Sequence, residues 1–500
     1  MRRRVLFFGL LLVGLAACGA RDASPSSRAV RDTAHVILAT YLGGTRSEMG
    51  RDVAFDHDGS FVAVGSTRSP DFPVTPGAFQ TAFHPGKHDG DAWVARFGPD
   101  GRLRWATYLG GPNYERAYAV EIAPDGDIVV GGRGGDGLPV GPHTAQPTFG
   151  GGEEDRSYGA QDGFVCRLSP DGQSLRFCTY FGTRDNRILR DLALDGAGNI
   201  VVAAGVDLDE FPRAWFAHAF QPRIRGDRDV VIAKLAADGS RVLWATYLGG
   251  SGFEDEAPSV RVGTGDTVYV LLNTRSTDLP TPGAGGTRPG GSHDMYLAKL
   301  APDGSRLLYG TYIGGSGIES IETHGLAVDR EGNAYVAAGT NSADFPTTPN
   351  AVRQARDLAP GDSGEAFVVK VGPDGRILAA TLLGGREKDW SEGVAVDAQG
   401  YVYLSGATNS PDFPAPATGD GGARHDLIAV KLSPALDRIV WAARLGGDRF
   451  DAGRSAAVSD QGDFAVAGMT QSADLPVREA AQPARRGPDD AVVTLFRPTR

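Results

Sequence analysis

Leu42-Gly43-Gly44 is the first copy of a step that returns as Leu109-Gly110-Gly111, Phe181-Gly182-Thr183, Leu248-Gly249-Gly250, Ile313-Gly314-Gly315, Leu383-Gly384-Gly385 and Leu445-Gly446-Gly447. The seven copies lie 67, 72, 67, 65, 70 and 62 residues apart. Such a period makes the chain a repeat architecture, in which each unit buries its apolar face against its neighbours.

Outward from the Gly step, each unit reads as four strands. An alternating run follows it, as in Asp52-Val53-Ala54-Phe55 (strand a), then an Asp/Gly turn and a second run, Phe61 to Gly65 (strand b). A long variable loop leads to strand c, Asp91 to Phe97, and Pro99-Asp100-Gly101 turns the chain into strand d, Leu103 to Leu109. Asp-Gly between alternating runs marks a hairpin, because glycine supplies the positive φ. No stretch of the mature chain sustains a helical period. Four short strands per unit, seven times over, predict an all-β, seven-bladed β-propeller of four-stranded antiparallel blades. Val36 to Leu42 is a d strand with no c strand before it, and Asp490 to Phe496 is a c strand with nothing after it. Pairing these terminal strands completes the seventh blade and closes the ring over residues 36–500.

At this point the chain resembles the SBBP repeat family, named for its seven-bladed β-propellers. The resemblance rests on the Gly step and on Gly65-Ser66-Thr67-Arg68-Ser69-Pro70-Asp71-Phe72-Pro73-Val74-Thr75-Pro76-Gly77-Ala78-Phe79-Gln80, which returns as Gly339-Thr340-Asn341-Ser342-Ala343-Asp344-Phe345-Pro346. Asp412-Phe413-Pro414, Asp278-Leu279-Pro280 and Asp474-Leu475-Pro476 keep its core, while Gly137-Leu138-Pro139 and Glu210-Phe211-Pro212 depart from it. The family resemblance implies a secreted or surface-associated bacterial propeller and brings no catalytic residues. In physical terms the Asp caps a turn, the Phe or Leu plugs the gap between blades, and the Pro ends strand b because it has no N–H to donate.

The N-terminus carries Arg2-Arg3-Arg4, then an apolar run from Val5 to Ala17, too short for a span of about 20 residues. It ends in Leu15-Ala16-Ala17-Cys18, which resembles a lipobox. The expectation is a signal peptide over 1–17, a lipidated Cys18 that binds the membrane, and a flexible tether over 18–35. A plain secretory signal with an incidental cysteine is the bland alternative. The net charge of -11 and the absence of a Lys/Arg cluster in the mature chain argue against nucleic acid as a partner.

Cys166 and Cys178 flank the Asp171-Gly172 turn, at positions held elsewhere by Ala95 with Ala106, Ala233 with Ala245 and Ala298 with Gly310. Small residues at both places put the two side chains opposite each other. In an exported chain this favours a disulfide over two buried thiols.

In a blade of this topology the a–b and c–d turns lie on one face, and the longer d–a and b–c connections on the other. Function concentrates on varied loops held by a rigid scaffold, so the second face is the candidate binding face. Its d–a loops, opening near the central channel, offer Arg46, Tyr114, Arg116, Arg187, Glu254, His324, Trp390 and Arg449 as candidate ligand contacts. Acidic turns such as Asp56-His57-Asp58-Gly59 are too short for a calcium loop, and the nine His show no metal-ligand spacing. No Gly-x-Ser-x-Gly elbow or other catalytic set stands out, and neither metal nor cofactor is expected. These observations predict an exported lipoprotein of the bacterial cell envelope, a scaffold that binds a protein or polysaccharide. The alternative is an extracytoplasmic propeller enzyme, a glycan hydrolase or lyase, on fold analogy alone.

Overall fold

Apolar alternation on both sides of tight Asp-Gly turns folds each repeat into one antiparallel sheet. The turn glycines take the left-handed conformation the hairpins require, as at Gly101 (φ 78°) and Gly239 (φ 68°). The computed structural model describes residues 34–498, apart from 153–156, 185–187, 255–256, 284–287, 323, 357–363, 416 and 419–424. In the first blade, strands a to d are Glu48–Phe55, Phe61–Thr67, Asp91–Phe97 and Leu103–Leu109, paired in that order. The next five blades repeat this order, and the sixth adds a short parallel pairing, Ala417–Thr418, beyond its d strand.

The seventh blade is made from both termini. Its d strand is Ala34–Leu42 and its c strand Asp490–Pro498, antiparallel from Ala34 opposite Pro498 to Leu42 opposite Ala491. The protein is therefore a closed seven-bladed propeller, and no blade is left without its outer strand.

The hydrophobic core is divided into seven clusters, each lying between two consecutive blades. Between the seventh and first blades, Leu38, Val493 and Leu495 pack against Phe61, Trp93 and Phe97. Phe72 of the Asp-Phe-Pro step is buried in the same gap. Asp71 accepts from the Thr45 N–H at 2.9 Å, and the Tyr108 hydroxyl donates to the Ser69 carbonyl at 2.8 Å while accepting from the Phe72 N–H at 3.1 Å. Tyr41 with Leu475 and Tyr312 with Leu279 repeat this corner. In five of the blades the motif's Asp thus locks the long b–c loop to the Gly step that precedes the blade.

Cys166 lies opposite Cys178 in the c–d ladder of the second blade, with the sulfurs joined as a disulfide and the Cα atoms 4.0 Å apart. Ala95 with Ala106, Ala233 with Ala245 and Ala298 with Gly310 are register partners at the same place.

Candidate functional site

Strand a is the innermost of each blade, and it starts earlier than the alternation suggests. In the first blade it begins at Glu48, not Asp52, and in the second at Arg116. The reason is a β-bulge: register shifts occur between Gly50 and Asp52, Ala117 and Ala119, Leu189 and Asp191, and Ser391 and Gly393. In the fifth and seventh blades the strand is broken at the same place. A bulge re-aims the extra residue and hides the strand from a period-two reading.

The residue at that place stands nine positions after the apolar residue of each Gly step. Around the ring it is Arg51, Tyr118, Arg190, Ala257, Glu322, Glu392 and Arg454. All of these side chains but Ala257 meet across the central channel. Arg51 of the first blade pairs with Glu322 of the fifth at 2.6 Å, and Arg454 of the seventh bridges Glu322 and Glu392, the latter at 2.7 Å. Burial would raise the Glu322 carboxyl, but Arg51 and Arg454 outweigh it and hold the group well below the ordinary range.

On the side of the first three blades, cations predominate. The guanidinium groups of Arg190, Arg51, Arg116 and Arg133 lie 4.6, 5.2, 5.8 and 6.0 Å from the centre of the Tyr118 ring. Arg133 also stacks on Tyr158 at 3.9 Å and faces Tyr114 at 5.2 Å. Two like charges roughly 6 Å apart repel by about 3 kcal/mol at an effective dielectric of about 20, so such a cluster needs negative charge nearby. Burial raises the Tyr118 phenol, yet Arg190, Arg116, Arg133 and Arg51 overcome this and bring it down to about 7.

Deeper in the channel, His324 of the fifth blade reaches between Asp52 of the first and Asp191 of the third, at 3.7 and 3.8 Å. Its Nε2 lies 2.9 Å from the Tyr118 carbonyl oxygen. Both carboxylates also tie blades together. Asp52 accepts from the Val120 N–H at 2.8 Å, and Asp191 accepts from the Val260 N–H at 2.9 Å and pairs with Arg261 at 2.6 Å. The arrangement is a crosslink among inner strands.

Opposite the arginines, the fifth and sixth blades enclose a cavity of about 420 Å³. Its walls include Ile318, Glu322, Lys388, Trp390 and Glu392. The Trp390 indole N–H donates to Glu392 at 3.1 Å, and Lys388 sits 5.0 Å from its ring. Glu322 therefore belongs both to this cavity and to the arginine cluster.

Of the candidates from the sequence, Tyr114, Arg116, His324 and Trp390 are gathered in or beside this channel. Arg46 and Arg449 are exposed on the outer part of the same face, with Arg46 paired to Asp89. Glu254 does not reach the opening. It stands six positions after its Gly step, where Glu48, Glu115, Glu319, Asp389 and Asp451 also stand, and all six are buried. Each holds its own blade together: Glu48 accepts from Gly44 N–H at 2.9 Å and Thr67 hydroxyl at 2.7 Å, and Glu254 accepts from Thr274 hydroxyl at 2.9 Å. Burial pushes Glu48 and Glu254 up to about 7 and Asp451 to about 6. Arg187 holds the same position in the third repeat; it and Cys18, with the stretch expected to be a signal peptide and most of the expected tether, lie outside the described residues. Arg51, Tyr118, Arg133, Arg190 and Glu392 were not legible as site residues. The signal that marks most of them is the contrast between an acid present in six of seven repeats at the sixth position and a side chain that changes from blade to blade at the ninth. Among the described residues no group of three or more His, Cys, Asp or Glu is arranged to hold a metal.

The SBBP β-propeller repeat family matches residues 308–346 and 380–414, so the chain carries repeats of that family. Regulatory protein FlaEY of Caulobacter vibrioides is 26% identical over 323 residues, which is 61% of this chain and 32% of that protein. The match thus spans about a third of the relative's length. BamB of Moraxella catarrhalis is similar in structure at 12% identity, covering 93% of this chain and 100% of that one with a TM-score of 0.38. Quinohemoprotein alcohol dehydrogenase of Comamonas testosteroni is similar at 9% identity, covering 93% and 76% with a TM-score of 0.41. Likenesses of this size concern the fold and carry no functional argument.

Proposed function

We propose that this chain is an exported lipoprotein of the bacterial cell envelope, anchored through Cys18, whose propeller binds a polysaccharide at the mouth of its central channel. One observation carries the binding role. The sequence symmetry that builds seven blades is kept in six repeats at the buried acids and the Gly-Gly steps and in five at the Asp-Phe/Leu-Pro corners, and is dropped at the channel position occupied by Arg51, Tyr118, Arg190, Ala257, Glu322, Glu392 and Arg454. A purely structural ring has no need of that asymmetry, whereas a ligand with its own shape does. A polysaccharide suits the concave space beside Trp390 better than a flat protein surface does, since the cavity is of the size that holds a small polar molecule against one aromatic wall.

A hydrolase or lyase needs a carboxyl able to take or give a proton at the substrate. Glu322 and Glu392 are both engaged by Arg454, and Asp52 and Asp191 are bonded to neighbouring strands, which supports binding over turnover.

Two measurements test the reading. Cells fed an alkyne fatty acid should label the wild-type protein in the membrane fraction, and Cys18→Ala should abolish the label; an unlabelled wild type removes the anchor. On a glycan array, Trp390→Ala should weaken retention by about tenfold or more, equivalent to about 1.4 kcal/mol. Retention unaffected by that change, or no glycan retained by the wild type, overturns the binding site.

A further inference from the structure

We infer that the arginines around Tyr118 form an oxyanion subsite that takes a phosphate, sulfate or carboxylate group. For the anion to be part of a polysaccharide, the inference rests on the function proposed above; the affinity for an oxyanion does not.

Four strands from three blades converge to build the cluster. Arg51 comes from the inner strand of the first blade, Arg116 and Arg133 from the first two strands of the second, and Arg190 from the inner strand of the third. Their side chains lie around the ring of Tyr118, with Tyr114 and Tyr158 as further aromatic walls. The Nε atoms of Arg51, Arg116 and Arg133 are buried with no hydrogen-bond partner among the described residues. A donor in that condition costs free energy unless something accepts from it. Among the described residues the carboxylate that reaches the cluster is Glu322, and it is shared between Arg51 and Arg454. Among the described residues Arg116 and Arg133 form no ion pair; they rest against tyrosine faces. Guanidinium groups present paired N–H donors in one plane, which matches the spacing of oxygens on a carboxylate, sulfate or phosphate.

Access and continuity complete the argument. Arg116, Arg190 and Tyr158 are partly exposed, so an anion arriving from the channel mouth meets them first. Glu322 lines the cavity beside Trp390 and also pairs with Arg51, so the two sites share a wall. A ligand seated against Trp390 has the arginines within reach of an acidic substituent, which would compete with Glu322 for Arg51. The lowered ionisation of Tyr118 reports the same positive field.

The test uses the full-length protein, purified in detergent at low chloride and titrated with inorganic phosphate and with sulfate. Calorimetry should show saturable binding, and tyrosinate absorbance near neutral pH should fall as the bound anion offsets the arginines. Arg116→Gln and Arg133→Gln should each weaken binding by about tenfold or more, while Arg116→Lys recovers part of it. No saturable binding to the wild type overturns the subsite. So does unchanged affinity in both glutamine variants when their unfolding midpoints match the wild type. Two further arms separate the sources of the anion: a uronate oligosaccharide and its carboxyl-reduced neutral form. Preference for the uronate form, lost in Arg116→Gln, places the anion on a glycan. Phosphate bound with neither oligosaccharide keeps the subsite and removes the polysaccharide. Equal binding of both oligosaccharides, insensitive to the glutamine changes, keeps the polysaccharide and overturns the glycan as the source of the anion.

Discussion

A phenol surrounded by guanidinium groups gains from losing its proton, because the anion it leaves is the negative charge the cluster lacks. Tyr118 is in that position, and its ionisation near 7 sets it apart from an ordinary tyrosine near 10. The sign of the stability effect follows. The folded value is lower than the unfolded one, so the tyrosinate contributes fully above about 10, and its contribution is lost as pH falls through about 7. Near-UV absorbance against pH should show one tyrosine titrating near neutrality in the native protein, and Tyr118→Phe should remove that step. A native protein in which every tyrosine titrates in the ordinary range would show that the phenol does not feel the arginines. Nothing in the local sequence marks Tyr118 in this way, since three of its four neighbours come from other strands.

The Asp-Phe-Pro corner joins a long loop, a Gly step and the outer strand of one blade. Its residues were readable as a cap and a plug because the motif returns in most repeats and because its residue types have those uses. The tyrosine that holds it was not readable as its partner, since Tyr108 lies 36 residues from Phe72 and the contact exists only after the blade folds. Phe72→Ala should destabilise the propeller by about 3–5 kcal/mol, through lost burial and the cavity left between two blades. Chemical denaturation monitored by fluorescence checks it, and a loss under about 1 kcal/mol would show that the gap closes without the ring. The inner strands teach the opposite lesson. Their bulge breaks the alternation at the very residue that faces the channel, so a period-two reading misplaces their start and assigns Glu48, Arg116 and Trp390 to loops.

Closure by the two termini governs the whole molecule. Without Ala34–Leu42, the strand Asp490–Pro498 would present an unpaired edge, and the core between the seventh and first blades would lose Leu38 and Leu42. Deleting that strand should abolish a single cooperative unfolding transition and promote association through the open edge. A synthetic peptide of residues 34–42 should restore monomers. Light scattering and thermal unfolding read both effects, and a truncated chain that stays monomeric at the wild-type midpoint would show that the ring does not need its clasp.

The seven-fold repeat, four strands per unit, the terminal clasp and the small-residue pair that holds Cys166 and Cys178 were determined by the sequence alone. Each follows from local alternation, turn glycines and the spacing of copies along the chain. The charged lining of the channel was decided only by the tertiary structure. Arg51 and Glu322 are 271 residues apart, and no local rule links them. They meet because the ring brings every inner strand to one axis, where a bulge turns one side chain from nearly every blade toward the centre.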